Sequence, residues 1–141
     1  MAIYDSKSST NKDRVNRIYS DLDLDFTRNP VTSDIVKLND VDSVKRSVKN
    51  LIQTNHYERP FHPEIGSDVR ALLFENMTPL TALNLERKVV EVLVNFEPRA
   101  RLIDIGVLGD IDKNGYYIRI KFEPINVPTP VTLEFFLARL R

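Results

Sequence analysis

The feature that most limits the fold is an abrupt change of hydrophobic period at Pro98. Before it, Ala82, Leu85, Val89, Val92, Leu93 and Phe96 recur at spacings of three and four. Glu86, Arg87, Lys88 and Glu91 mark the wet side. This is the pattern of an amphipathic helix. Leu80, Leu83, Val90 and Val94 widen the apolar stripe, which predicts a helix packed on more than one side. Thr78 can cap its start, and Pro79 suits the first helical position. A helix from Pro79 to Phe96 would span about 27 Å and could serve as a spine.

Pro98 disfavours helical geometry at Glu97, so the helix must end there. The period then falls to two. Ile103, Ile105 and Val107 alternate with Asp104 and Gly106. Residues 109–115 read as a connection turning at Asn114-Gly115. Tyr116, Ile118, Ile120 and Phe122 make the clearest strand. Pro124, Pro128 and Pro130 mark a second connection, and Val131, Leu133, Phe135 and Leu137 a last alternation. Helices followed by strands predict an α+β fold, with the long helix on an antiparallel sheet of about three strands. The last strand carries Thr132, Glu134, Phe136 and Ala138 on its other face. If it lies at an edge, its open backbone groups can pair with a strand of another chain. Glu134 and the prolines are the features that would blunt such an edge.

Two opposite charges, Glu97 and Arg99, flank the proline. A carboxylate at a helix C-terminus meets the negative end of the helix dipole, so local energetics would not choose Glu97 there. Arg99 could offset it, or a partner could use both. Local reasoning leaves internal pairing and docking open.

The N-terminal half is less regular. Residues 1–15 are polar and predict a flexible arm ahead of a single domain at residues 16–141. Leu22, Leu24 and Phe26 alternate with Asp21, Asp23 and Asp25, as in a short strand with a solvated acidic face. A calcium loop would need a Gly and a distal Glu at fixed offsets, which are missing. A second short strand is expected at residues 34–38. Residues 40–54 read as a helix capped by Asp40 or Asp42, with Val41, Val44, Val48, Leu51 and Ile52 inward. Its cations Lys45, Arg46 and Lys49 are expected in solvent.

Residues 54–66 hold two prolines and should be irregular, with Tyr57, Phe61 and Ile65 packing the loop down. His56 and His62 lack the spacing of a metal site, and no nucleophile accompanies them. Ser67 can cap a short helix over residues 68–75 whose apolar side is Val69, Leu72, Leu73 and Phe74.

The 141 residues suit one domain with its own core. Lys and Arg number 20, as do Asp and Glu, so no electrostatic footprint points to a nucleic-acid partner or an anionic membrane. The absence of Cys excludes disulfides and thiolate chemistry. No apolar run reaches the ~20 residues of a membrane span, and residues 1–5 lack the character of a secretory signal. No cofactor is expected.

Three segments carry a family resemblance. Glu58-Arg59-Pro60-Phe61-His62-Pro63-Glu64-Ile65-Gly66 resembles the Glu/Ser-Arg-Pro-x-x-Pro-Glu-Phe-Gly loop of the gene-25-like baseplate proteins of contractile-tailed phages. Residues 73–82, Leu73 to Ala82, look like the T-even version of the next segment. Asn95-Phe96-Glu97-Pro98-Arg99 is similar to the family's Glu-Pro-Arg signature after its long helix. The resemblance covers about residues 16–141; Ile65 stands where the family often has Phe.

The resemblance implies a structural baseplate wedge subunit, related to type VI secretion baseplate components and present in multiple copies of a sixfold baseplate. It implies assembly in the host cytoplasm, residence in the virion tail baseplate, and contacts with other wedge proteins and the tail sheath protein. Glu97, Pro98 and Arg99 would dock on the wedge core bundle. Glu58, Arg59, Pro60, Pro63, Glu64 and Gly66 would form a structural loop. Val131, Thr132, Leu133, Glu134, Phe135 and Phe136 would add strands to start the sheath. The chain alone is expected to be monomeric or weakly associating, and substitution of Arg99 to affect assembly but not folding. The alternative is a cell-wall glycosidase, using Glu97 with Asp104, Glu64 or Glu75 as its second carboxylate.

Overall fold

The computed structural model describes residues 19–125, 127 and 129–139, and its longest helix starts where local chemistry places it. Helix α3 spans Pro79–Phe96, with Pro79 in its first turn. The Thr78 hydroxyl accepts the Thr81 backbone N–H at 3.1 Å. Before it come strands β1 (Ser20–Leu22) and β2 (Lys37–Asn39) and helices α1 (Asp40–Gln53) and α2 (Val69–Leu72). After it come strands β3 (Ala100–Asp110), β4 (Gly115–Pro124) and β5 (Val131–Ala138). The expected α+β order is therefore present. The arm expected at residues 1–15 lies outside the described residues.

Strands β3, β4 and β5 form one antiparallel sheet in that spatial order, with β4 central. Tyr116, Ile118, Ile120 and Phe122 on β4 are fully buried. They meet Leu85, Val89, Val92 and Leu93 of α3 and Val44, Val48, Leu51 and Ile52 of α1 in one core. Each such side chain contributes ~1.5–3 kcal/mol when fully buried. The helices cover one sheet face. On the other, Leu108, Tyr117 and Phe136 sit side by side across the three strands, with the two rings 4.9 Å apart.

The structure corrects several sequence expectations. Strand β3 does not alternate straight through: its register slips between Leu102 and Asp104, so Ile103 is the extra residue of a β-bulge. Leu102 and Ile105 face the core partners Phe122 and Ile120, while Ile103 is half-exposed. A bulge adds one residue and reverses the side-chain phase beyond it. Gly109 and Asp110, expected in the connection, continue the strand.

Leu22, Leu24 and Phe26 are all exposed rather than packed. The segment is held instead by its acids, because the Arg46 guanidinium reaches Asp23 at 3.0 Å and Asp25 at 2.6 Å. Arg46 is thus a partly buried brace rather than a solvent-facing cation.

Neither Asp40 nor Asp42 caps α1. The N-cap position is Asn39, without a side-chain bond, and the Asp40 carboxylate accepts the Tyr19 N–H at 3.2 Å. Ser67 does not cap α2 either, since its hydroxyl donates to the Ile52 carbonyl at 2.5 Å. Phe74 lies outside the core. Tyr57 and Phe61 point into solvent at 86% and 95% exposure, so of the three loop hydrophobics only Ile65 packs down. The wide stripe on α3 is covered on one side only, leaving Leu80, Leu83 and Val94 exposed.

Candidate functional site

Three places carry the residues that the sequence singles out: the end of α3, the loop before α2, and the edge strand β5. At the first, Glu97 is the C-cap of α3, and its N–H still bonds the Leu93 carbonyl at 3.0 Å. Pro98 has no N–H to continue the ladder. The Ala100 N–H then turns back to the Glu97 carbonyl at 3.1 Å, and the Arg99 carbonyl accepts the Ile125 N–H at 3.1 Å. The joint is tied to both the helix and the end of β4.

The Glu97 side chain points inward and is 2% exposed. Arg99 grips it in a two-pronged fork, Nε to Oε1 at 2.6 Å and Nη2 to Oε2 at 2.8 Å. Such paired, charge-assisted bonds are among the strongest a protein makes. The Ser47 hydroxyl of α1 donates to Oε2. Burial alone would raise the Glu97 carboxyl. The Arg99 fork and the Ser47 bond outweigh it and hold the carboxyl below the usual glutamate range. Arg99 remains 30% exposed and lies 5.2 Å from the centre of the Tyr19 ring. Pro98 is exposed. Of the tripeptide, then, Pro98 and the rim of Arg99 face outward, and Glu97 holds Arg99 in place. Ser47 has no motif of its own. Its signal is a small polar residue at core spacing, between Val44 and Leu51, on an otherwise apolar face.

The loop is closed at its base. The Ser67 N–H bonds the Thr54 carbonyl at 2.7 Å, and the Tyr57 N–H bonds the Pro63 carbonyl at 3.0 Å. Glu58 accepts the Asn55 N–H at 2.9 Å and the Asn55 side-chain amide at 2.6 Å. Glu64 pairs with His62 at 3.1 Å. Gly66 is buried against the Asn55 backbone. Arg59 and Pro60 are exposed.

Strand β5 pairs with β4 on one side only, so it is an edge of the sheet. Val131, Leu133 and Phe135 oppose the core residues Phe122, Ile120 and Ile118. Thr132, Glu134 and Phe136 stand on the outer face. Glu134 is engaged there by Arg119 at 2.6 Å. A charge committed within the face does little to blunt the edge beside it.

The sequence pattern of the family described as baseplate wedge protein gp25 matches residues 39–127. The chain belongs to the gp25 baseplate wedge family. A curated member, the baseplate wedge protein gp25 of Enterobacteria phage T4, is 34% identical over 117 residues, covering 83% of this chain and 88% of that one. The gp25-family fold also recurs in solved structures of low identity. A Geobacter sulfurreducens protein, provisionally named a tail lysozyme, matches with a TM-score of 0.64 at 20% identity, over 70% of this chain and 89% of that one. A chain of the anti-feeding prophage baseplate matches with a TM-score of 0.59 at 18% identity, over 87% of both chains. One from the post-contraction pyocin R2 baseplate gives 0.51 at 19%, over 79% of this chain and 98% of that one. At such identities these three establish the fold alone.

Proposed function

We propose that the chain is a structural subunit of a contractile-tail baseplate wedge. It docks on the wedge core through the joint at residues 97–99 and presents β5 as a template on which the tail sheath starts to polymerise. The observation that carries this reading is the position of β5. In a gp25-family chain, the last strand lies at a sheet edge with its outer side unpaired among the described residues. An added strand would gain main-chain hydrogen bonds, and the alternating side chains would set its register.

The joint supports docking in a particular form. Pro98 and the outer part of Arg99 meet the partner, while the buried Glu97 fixes the fork of Arg99 before contact. The chain is monomeric until its partners are present, assembles with them in the host cytoplasm, and occupies several copies of a sixfold baseplate. Its role is architectural and needs no cofactor.

The glycosidase alternative asks Glu97 to act as a general acid or nucleophile at a sugar cleft. An acid in that role needs a raised pKa. Glu97 has a lowered one, and both of its oxygens are already bonded within the fold. Clearing of purified peptidoglycan by the wild-type chain, lost in Glu97→Gln, would overturn the architectural reading.

The direct test is reconstitution. Wedges assembled with and without this chain are completed to baseplates and offered sheath protein, and sheath growth is counted by electron microscopy. Sheath that starts equally well without the chain contradicts the template role.

A further inference from the structure

Beside the joint lies a groove of about 320 Å³, lined by Asp21, Leu24, Ser47, Asn50, Leu51, Arg59, Ile65 and Phe96. It draws on four separate parts of the chain: β1 with the turn that follows it, helix α1, the loop before α2, and the last residue of α3. Ser47 belongs to both places, since it lines the groove and holds Glu97. The volume is at the small end for ligand pockets, enough for a side chain or two rather than a cofactor.

Leu51 is buried, and Ile65 and Phe96 are half-buried, so the floor is apolar. Leu24 forms an exposed apolar wall. The rim is polar and unevenly satisfied. Glu58 and Glu64, the acids nearest Arg59 in sequence, are taken up by Asn55 and His62. Asp21 accepts its neighbour's backbone N–H, from Leu22, at 2.8 Å. Arg59 has no hydrogen bond or ion pair among the described residues, and it is exposed. No described residue uses its guanidinium, although the loop that carries it is closed by its own hydrogen bonds.

We infer that this groove is a second contact of the docking surface. It receives an apolar side chain from an acidic segment of the wedge core, whose carboxylate pairs with Arg59. This rests on the docking reading of the joint. Charge complementarity selects the occupant: a free guanidinium at the mouth of an apolar floor matches a carboxylate next to a large aliphatic or aromatic residue. Arginine is also the cation most often found at the centre of an interface. The loop residues assigned a purely structural role would then divide in two, with Gly66 and Glu58 shaping the loop and Arg59 meeting the partner.

The test uses the full chain, fluorescently labelled and titrated against a wedge core assembled from the remaining wedge proteins. Arg59→Glu and Leu24→Asp are compared with the wild type and with Arg99→Lys, and each is checked for an unchanged melting temperature. Both groove side chains are exposed and outside the core, so folding should tolerate the changes. The expected result is at least a tenfold loss of affinity for each, with a weaker salt dependence for Arg59→Glu. Wild-type binding by both groove variants, with Arg99→Lys weakened, overturns the groove and leaves the joint standing. Wild-type binding by all three overturns the docking reading with it. Loss in Leu24→Asp alone overturns the acidic character of the occupant.

Discussion

Arg99 and Glu97, two residues apart across a proline, form a closed ion pair with bonds of 2.6 and 2.8 Å. The acid is buried and the base is partly open. This asymmetry turns a helix stop into a rigid corner, because the carboxylate is anchored on Ser47 of α1 and the guanidinium cannot swing away from it.

The first consequence concerns stability, and it predicts a different outcome from the expectation that Arg99 matters only for assembly. Arg99→Ala leaves a buried carboxylate without its counter-charge, which should destabilise the chain by ~2–4 kcal/mol. Glu97→Gln should cost less, because Arg99 reaches solvent and can rehydrate. Urea unfolding of the two variants checks the order; equal costs would mean that the pair is not organised around a buried acid. Binding tests at the joint therefore need Arg99→Lys, which keeps the charge and loses the fork.

Acid should weaken the fold through the same pair. The Glu97 carboxyl is harder to protonate in the folded chain than in the unfolded one. The unfolded chain therefore binds more protons below the ordinary glutamate range of about 4.3, and stability falls as pH drops from there through the lower folded value. Asp23, Glu58 and Glu64 shift in the same direction. The contribution of Glu97 is isolated by comparing wild type with Glu97→Gln between about pH 6 and pH 3. The variant should lose less stability over that interval, and parallel curves would refute the assignment.

Two glycines should respond in opposite ways. A Cβ at Gly66 would lie 2.5 Å from the Asn55 carbonyl carbon and 2.6 Å from the His56 nitrogen, both rigid backbone atoms. Gly66→Ala should therefore cost ~2 kcal/mol or more and loosen the loop base. At Gly106 a Cβ meets nothing within 4 Å. Gly106→Ala should stabilise β3 by ~0.5–1 kcal/mol, since glycine is the more costly residue to order in a strand. Thermal unfolding of both variants decides, and a destabilised Gly106→Ala would count against the open outer face.

The strand addition proposed at β5 would have a pattern that cysteines can read. The chain has none of its own, so introduced thiols report cleanly. Thr132→Cys and Glu134→Cys share one face of the strand and Leu133→Cys the other. In assembled tails, disulfides from residues 132 and 134 should form with sheath positions two residues apart, on one face of the added strand. Cβ atoms of directly opposed strand residues come within ~4.5–5.5 Å, and the closer pairs approach disulfide reach. Gel shifts of tails carrying matched sheath cysteines give the answer, and cross-links without two-residue spacing would exclude an ordered added strand.

Much of this architecture is legible along the chain. Helix α3 begins at Thr78-Pro79 and ends before Pro98 because caps and prolines act within a few residues. Strand β4 shows its alternation because α1 and α3 pack on one face of the sheet and leave the other open. Two of the three family segments mark the loop at residues 58–66 and the tripeptide at residues 97–99 without any coordinates. The half-exposed pieces were harder to read. Leu22, Leu24 and Phe26 alternate as a packed strand would, yet charge pairing to Arg46 holds that segment. Tyr57 and Phe61 are hydrophobic, yet a loop closed by its own backbone bonds leaves them outside.

Local pattern thus set the elements and their order, since propensity, capping and period are properties of neighbours in sequence. Only the tertiary structure decided the phase of β3 beyond its bulge at Ile103 and the fate of the two charges at Pro98. Glu97 could have faced a partner or Arg99. Its direction depended on Ser47, a residue 50 positions earlier, and on how α1 and α3 pack. A buried carboxylate is tolerated only where the whole fold supplies its counter-charge and hydrogen bonds, and no window of sequence contains that information.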